Sequence, residues 1–251
     1  MSRTPEAAQL TQAHQRAQLA LRADVLADLT RMWTLFYTGD LDETFAKFAK
    51  AAEILIRQRH AQSAGLAAAY FERFRAAEGA AGLVRPVVAQ TPSAELVEQT
   101  LRAAGLSGVR NAARAGKPAP QAGRNGLVKV LGTAARVVLT GGRSTLTESV
   151  RADRSARGWQ RVTSGSPCPF CAMIASRGPV FKTDRSARFE AHDHCGCTAE
   201  PYYEGSRTLA TNARLAEAWE SAQRQARDAG ELQRGTSNDA LNAFRRSMGA
   251  T

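Results

Sequence analysis

The sequence predicts a mainly α protein: a long N-terminal helical hairpin, a small α+β module and a C-terminal helix. Three observations carry this. Aromatic residues are only 6% of the 251-residue chain while alanine is abundant, a composition that suits close-packed helices better than a sheet sandwich. Apolar positions recur at helical spacing through the first third of the chain. All four cysteines and two of the four histidines fall between Gly158 and Tyr203, which marks a separate module.

The first helix follows from Leu10, Ala13, Ala17, Leu21, Val25, Leu29, Met32, Trp33 and Phe36, a stripe of about seven turns. Gly39 breaks it. Asp40 with Glu43 three residues on has the form of a capping box, in which the carboxylate accepts from the first free N–H groups. The second stripe runs Leu41, Phe45, Phe48, Ala52, Leu55, Leu66, Tyr70 and Phe74, so the two helices are expected to pack as an antiparallel hairpin. His14 and His60 lie on them with no acid, nucleophile or ligand motif beside them, and read as surface or interface residues.

Gly79, Gly82 and Pro86 mark a connector, and Thr91-Pro92 is expected to open a short helix with proline in its first turn. The dense run Gly105, Gly108, Gly116, Pro118, Pro120, Gly123 and Gly126 reads as a mobile linker. Helical spacing resumes from Leu127 to Val150, with an expected interruption at Gly141-Gly142. Trp159–Thr163 and Thr198–Tyr203 are the expected strands, and a helix from Thr208 to about Gly230 follows, with one weak amphipathic turn near Leu241 and Phe244. The chain thus divides into a helical hairpin (1–78), a connector with short helices (79–126), a basic helix with the Cys/His module (127–205), and a C-terminal helix and tail (206–251). That length can bury one ample core or two modest ones, since domains run about 100–150 residues.

The net charge of +11 is concentrated: residues 101–190 hold 16 Arg/Lys against 4 Asp/Glu, while 1–100 balance at 11 against 11. A local surplus of this kind suits a polyanion, nucleic acid being the commonest, and equally describes a solvated arginine-rich face. Arg143, Arg151, Arg154, Arg157 and Arg161 lead into the cysteine module and are the candidate nucleic-acid contacts. The absence of an apolar run near 18 residues and of a signal-like start argues against membranes and for a reducing compartment.

Cys168-x-x-Cys171 offers two thiolates on one turn, as a zinc knuckle does, and His192, His194, Cys195 and Cys197 offer the other corners several times over. Six candidates serve four positions. Cys168, Cys171 and one of Cys195 or Cys197 are the expected core of the set, with His192 the preferred fourth ligand and His194 the reserve; Gly196 permits the tight Cys195-x-Cys197 loop. Four protein ligands would make the zinc structural, with no open position for water. A redox C-x-x-C, two disulfides and four unrelated thiols are the competing readings; no thioredoxin-like βαβ pattern precedes Cys168. The module is expected to need metal because it has few large apolar residues, with Phe170, Met173, Ile174, Val180, Phe181 and Phe189 packing around the site.

Gly142-Arg143-Ser144 with Asp153, Gly158-Trp159-x-Arg161-Val162-Thr163-x-Gly165, Cys168-x-Phe170-Cys171-Ala172-Met173-x-Ala175-Ser176-Arg177-Gly178, and His192-Asp193-His194-Cys195-Gly196-Cys197 followed by Glu200-Pro201 resemble minor head proteins of actinobacterial tailed phages. These are similar to the broader Mu F-like head morphogenesis family, whose hallmark is His-x-x-Cys-x-Cys after an upstream cysteine. The resemblance spans about residues 140–203. It implies Cys168, Cys171, His192, Cys195 and Cys197 as the metal set, and His194 at a variable position. It further implies a low-copy virion component, made in the host bacterial cytoplasm and lodged inside the head. Portal or major capsid protein would be its partner, with packaged double-stranded DNA within reach and no membrane.

Members are often labelled capsid maturation proteases, but no Gly-x-Ser-x-Gly elbow is present and the usable bases are His14, His60, His192 and His194. A zinc-containing DNA-binding protein or a ββα-metal nuclease is a further alternative, although no histidine follows Pro201 to complete a nuclease site. With no catalytic motif in the residues, the resemblance implies a non-enzymatic head component.

Overall fold

The computed structural model describes residues 4–36, 40–179, 189–231 and 237–249. Gly39, Val180 and Phe181, which carried expectations above, lie outside them. Helix α1 spans Pro5–Met32 and tightens into a 3₁₀ turn at Trp33–Leu35; α2 spans Leu41–Ala77. Both starts are chemically fixed. The Thr4 hydroxyl accepts from Ala7 N at 3.0 Å with Pro5 at N1, and the Asp40 carboxylate accepts from Glu43 N at 3.4 Å. Thr4 also donates from its backbone N–H to Glu78 at 3.1 Å, so α1 begins where α2 ends and the pair is the expected antiparallel hairpin.

A third long helix, α5 (Ala119–Ala152), lies along that hairpin, parallel to α2, and turns it into a three-helix core. At one end Leu21, Val25, Leu29, Phe45, Phe48 and Ile56 pack on Val130, Ala134 and Val138. Toward the other, Leu10, Tyr70, Phe71 and Phe74 pack on Leu146 and Val150 and then on Trp159 and Tyr203. Each fully buried large side chain contributes about 1.5–3 kcal/mol, so these two clusters dominate the stability of the molecule.

Three expectations are corrected here. First, the run from Gly105 to Gly126 is no mobile linker. Helix α3 (Ala94–Leu101) continues through a π-helical turn at Arg102–Leu106 into α4 (Ser107–Arg114), which folds back on α5. Its glycines serve close packing: a Cβ on Gly126 would come within 2.4 Å of Val109, and one on Gly108 within 2.8 Å of Lys129. Second, α5 is not interrupted at Gly141-Gly142. These are the crossing points with α1 and α2, where a Cβ on Gly141 would lie 2.3 Å from the His60 carbonyl oxygen and the Ser63 hydroxyl accepts from Gly142 N at 2.9 Å. Third, α3 is capped by Ser93, whose hydroxyl accepts from Leu96 N at 3.2 Å, so Pro92 precedes the helix instead of sitting in its first turn.

The segment between α2 and α3 is extended and held by α5: the Ser149 and Thr145 hydroxyls accept from Val87 N and Ala89 N at 2.8 and 3.0 Å. Arg75 closes that end, pairing with Asp153 at 2.9 Å and donating to the carbonyls of Ala80, Ala81 and Gly82. Strands β1 (Ala156–Val162) and β2 (Thr198–Tyr203) pair antiparallel, with Gln160 opposite Glu200 and a bulge at Ala156/Gly158. Two strands alone are marginal in water. These two are covered by α5 on one side, and the buried Glu200 carboxylate accepts from Thr11 Oγ1 at 2.5 Å and Gln160 Nε2 at 2.9 Å, tying β2 to α1. Short α6 (Pro169–Ser176) and the C-terminal pair α7 (Ala210–Asp228) and α8 (Ser237–Ser247) complete the fold, with Met173, Leu215, Trp219 and Phe244 between them.

Candidate metal centre

Cys168 is the N-cap of α6: its backbone is extended, Pro169 occupies N1, and its sulfur accepts from Cys171 N at 3.4 Å. The Cys-Pro-x-Cys sequence folds this way because proline's fixed φ and missing N–H suit the first helical position. Cys168 is half-buried at the cap, and Cys171, one turn in, is buried.

The remaining donors come from the loop ahead of β2. Asp193 anchors it to α5, accepting from Arg136 Nε at 2.8 Å and from Thr133 Oγ1 at 3.1 Å. His194 turns the chain with φ +64°, a conformation costly for a residue with a Cβ. It lies on Gly132, where a Cβ would meet its ring nitrogen at 2.6 Å. His192 donates from Nδ1 to the Asp193 carbonyl at 2.6 Å, because that oxygen can only accept. In the neutral ring Nε2 carries the lone pair that a metal would take; it hydrogen-bonds Cys168 Sγ at 2.8 Å and lies 3.6 Å from Cys171 Sγ. Cys171 Sγ is also 3.6 Å from Cys195 Sγ.

The donors thus fall into two groups that share Cys171: Cys168, Cys171 and His192, and Cys171, Cys195 and Cys197, each with its ligand atoms within 4.8 Å of one another. Sulfurs at ~2.3 Å from a tetrahedral ion sit roughly 3.8 Å apart, close to the spacings around Cys171. All four cysteines are free thiols. The cluster could hold a metal ion.

The surroundings fit a negatively charged donor set. Arg143 on α5 is 2% exposed, and donates from Nε to the Cys197 carbonyl at 3.0 Å and from Nη2 to the Cys195 carbonyl at 2.7 Å. Arg161 on β1 is 0% exposed, approaches Cys171 Sγ at 3.5 Å and donates to the Glu190 carbonyl at 2.6 Å. Neither has a carboxylate partner among the described residues. Phe189 takes both guanidinium groups against its ring, Arg161 at 3.9 Å and Arg143 at 5.1 Å from the centroid, and stacks on Trp159. An unpaired buried charge costs several kcal/mol, so two arginines here need the thiolates as counter-charge. Cys168 and Cys195 compete for the single Cys171 S–H, which favours the thiolate that accepts it: Cys168 is held down at about 5, aided by the Cys171 N–H and His192 against desolvation, and Cys195 is lowered as well.

Two of the five expected nucleic-acid contacts are therefore reassigned: Arg143 and Arg161 are buried against the cluster and cannot meet DNA. The one signal in sequence is that Arg143 shares the helical stripe of Leu139, Leu146 and Val150, and Arg161 the strand face of Trp159; it marks the faces but not what packs on them. Arg151, Arg154 and Arg157 are exposed; Arg151 pairs with Glu148, and Arg157 with Glu204 at 2.5 Å. Asp193 and Arg136, which position the ligand loop, escaped sequence reasoning because their pairing joins residues far apart in the chain. His194, the reserve ligand, stands outside both donor groups. Phe170 and Phe189 pack against the cluster, whereas Ile174 packs on the second core cluster and Met173 on the C-terminal helices.

His14 and His60 are buried in the helical core at 5% and 4% exposure. His14 stacks on Tyr70 at 4.4 Å and meets the Thr198 hydroxyl at 3.3 Å, and both members of that pair are buried. No helix among the described residues is long and apolar enough to cross a membrane.

The sequence model of the family described as VG15 protein matches residues 5–226, which takes in the three-helix core, the donor cluster and most of α7. No curated protein and no solved structure matches the chain.

Proposed function

Because the chain belongs to the VG15 protein family, a family of phage proteins, we propose that it is a minor head protein of the Mu F-like type. In this reading it is a structural component of head assembly that docks on the portal or inner capsid and lies within reach of packaged DNA. The observation that carries the reading is the way the donor cluster is wired. Its loop and strand are bonded back into the helical core through Asp193 to Arg136 and Thr133, and through the Cys195 and Cys197 carbonyls to Arg143. A centre so tied into the core, with His192 at its exposed edge and Cys168 half-buried, serves to cross-link elements.

The ion proposed is zinc, which lacks redox chemistry and suits thiolate and imidazole donors. Four of Cys168, Cys171, His192, Cys195 and Cys197 would supply its ligands, and when bound it contributes a cross-link between α6, the ligand loop and the start of β2. Arg143 and Arg161 offset the thiolate charge, and Asp193 holds the His192 tautomer that leaves Nε2 free to bind.

The test has two arms. Mass spectrometry of purified virions should find the protein in the particle, and protein purified under reducing conditions should carry about one equivalent of zinc. Absence from virions sinks the head-protein reading; a metal-free chain that stays fully folded sinks the structural zinc.

A further inference from the structure

The structure sorts the charge surplus into buried, paired and free groups. From Gln99 to Thr147 the chain carries eight Arg/Lys and not one Asp or Glu. Arg143 of that set is buried, Arg110 pairs with Asp42 at 2.8 Å, and Arg136 pairs with Asp193 at 2.8 Å. Four of the others gather where α4 folds back on α5. Arg114 is the last residue of α4, Lys117 stands in the turn, and Arg124 and Lys129 lie on the first turns of α5. All four are exposed, and none has a carboxylate partner among the described residues.

The turn itself is rigidly specified. Gly116 takes φ +74°, Gly116 N donates to Ala113 O at 2.9 Å and Lys117 N to Ala112 O at 3.1 Å, the reciprocal pattern that closes a helix on a left-handed glycine. At 1.5 Å rise per residue, Lys129 stands only about 15 Å along α5 from the turn, so the cations share one end of the hairpin.

We propose that this α4–α5 hairpin tip is a docking surface for the phosphate backbone of duplex DNA. The proposal rests on the reading of the chain as a head protein within reach of packaged DNA, and names the surface that makes the contact. Phosphates condense on unpaired Lys and Arg regardless of base sequence, and that contact is driven by release of counterions. The paired Arg151 and Arg157 have less to offer, since their charge is already met by Glu148 and Glu204. A protein partner would instead need apolar or aromatic anchors at the centre of the patch. Across Gln99–Thr147 the exposed large apolar side chain is Val128, and the outer surface of the tip is otherwise Ala, Gly, Pro, Gln and Asn, small or polar groups that let a rod-like polyanion approach.

The experiment is fluorescence anisotropy of a mixed-sequence 30-base-pair duplex with the full chain over a salt series. Arg114→Glu/Lys117→Glu/Arg124→Glu/Lys129→Glu, its all-Gln counterpart, and Arg151→Glu/Arg154→Glu/Arg157→Glu would be compared at matched circular dichroism and zinc content. The expected result is at least a 100-fold loss of affinity for the first variant and a smaller loss for the all-Gln chain. The salt slope should fall by about 3.6 in both, since each of the four neutralised phosphates adds roughly 0.9 to it, with the third variant close to the parent. Three results overturn the proposal: parental affinity in both tip variants, loss confined to the third variant, or a parent chain that binds polyglutamate but not duplex. Each leaves the virion assay untouched, so the surface can fall while the head-protein reading stands.

Discussion

Arg143 Nη2 donates to the backbone carbonyl of Cys195 at 2.7 Å, so one buried guanidinium joins the long helix α5 to the loop that carries the sulfurs. Removing it leaves the Cys195 and Cys197 carbonyls unsatisfied inside the protein, at about 1–3 kcal/mol each, and strips the thiolates of a counter-charge. Arg143→Met is expected to lower stability by about 3 kcal/mol in urea titration at fixed zinc. Arg143→Lys should recover little, because an ammonium cannot serve both carbonyls as the planar fork does. A methionine variant as stable as the parent would remove the electrostatic account of the site.

Cys171 belongs to both donor groups, whereas His194 belongs to neither. Cobalt titration followed by its thiolate charge-transfer absorption should therefore rank the variants. Cys171→Ser and His192→Ala are expected to lose affinity by more than the ~10–100-fold that removal of an outer partner brings, and His194→Ala to bind as the parent does. Loss of binding in the His194 variant would move the ligand set.

Gly141 and Gly65 both sit inside long helices, where alanine ordinarily gains up to about 1 kcal/mol. Their surroundings differ: a Cβ at Gly141 would lie 2.3 Å from the His60 carbonyl, while one at exposed Gly65 meets nothing within 4 Å. Thermal unfolding should show Gly65→Ala stabilised and Gly141→Ala destabilised by about 2 kcal/mol or more, because helices cannot part without opening the core. Equal signs would contradict the crossing point.

Burial lowers His14 from 6.5 to about 4 in the folded chain. Between those values the unfolded chain binds a proton that the folded one refuses. The stability associated with neutral His14 is thus fully present above about pH 6.5 and is lost as pH falls toward 4, by up to about 3 kcal/mol. His14→Gln should flatten the pH dependence of stability in that window relative to the parent, measured as the difference between two denaturation series. Identical slopes would mean that the imidazole titrates normally.

Local pattern was legible wherever one element's own residues decide it. The α1 and α2 stripes, the Asp40 cap, the strands at Trp159 and Thr198, the helix after Thr208 and the gathering of cysteines by Cys168-x-x-Cys171 all depend on spacing within a few turns. The glycine-rich stretch misled because composition alone does not distinguish a glycine that loosens a chain from one that lets two backbones touch. Gly126 against Gly105 and Val109 is of the second kind, and that is a property of the neighbour.

The sequence by itself determined the helical periods, the donor atoms and the sign and location of the charge surplus, since residue identity and spacing are written in the chain. Only the tertiary structure decided which arginines are free. Arg143 and Arg161 are buried against cysteines brought from 10 to 54 residues away, while Arg114, Lys117, Arg124 and Lys129 face solvent at the hairpin tip. A charge acts on its surroundings through dielectric and distance, and both are set by what packs against it.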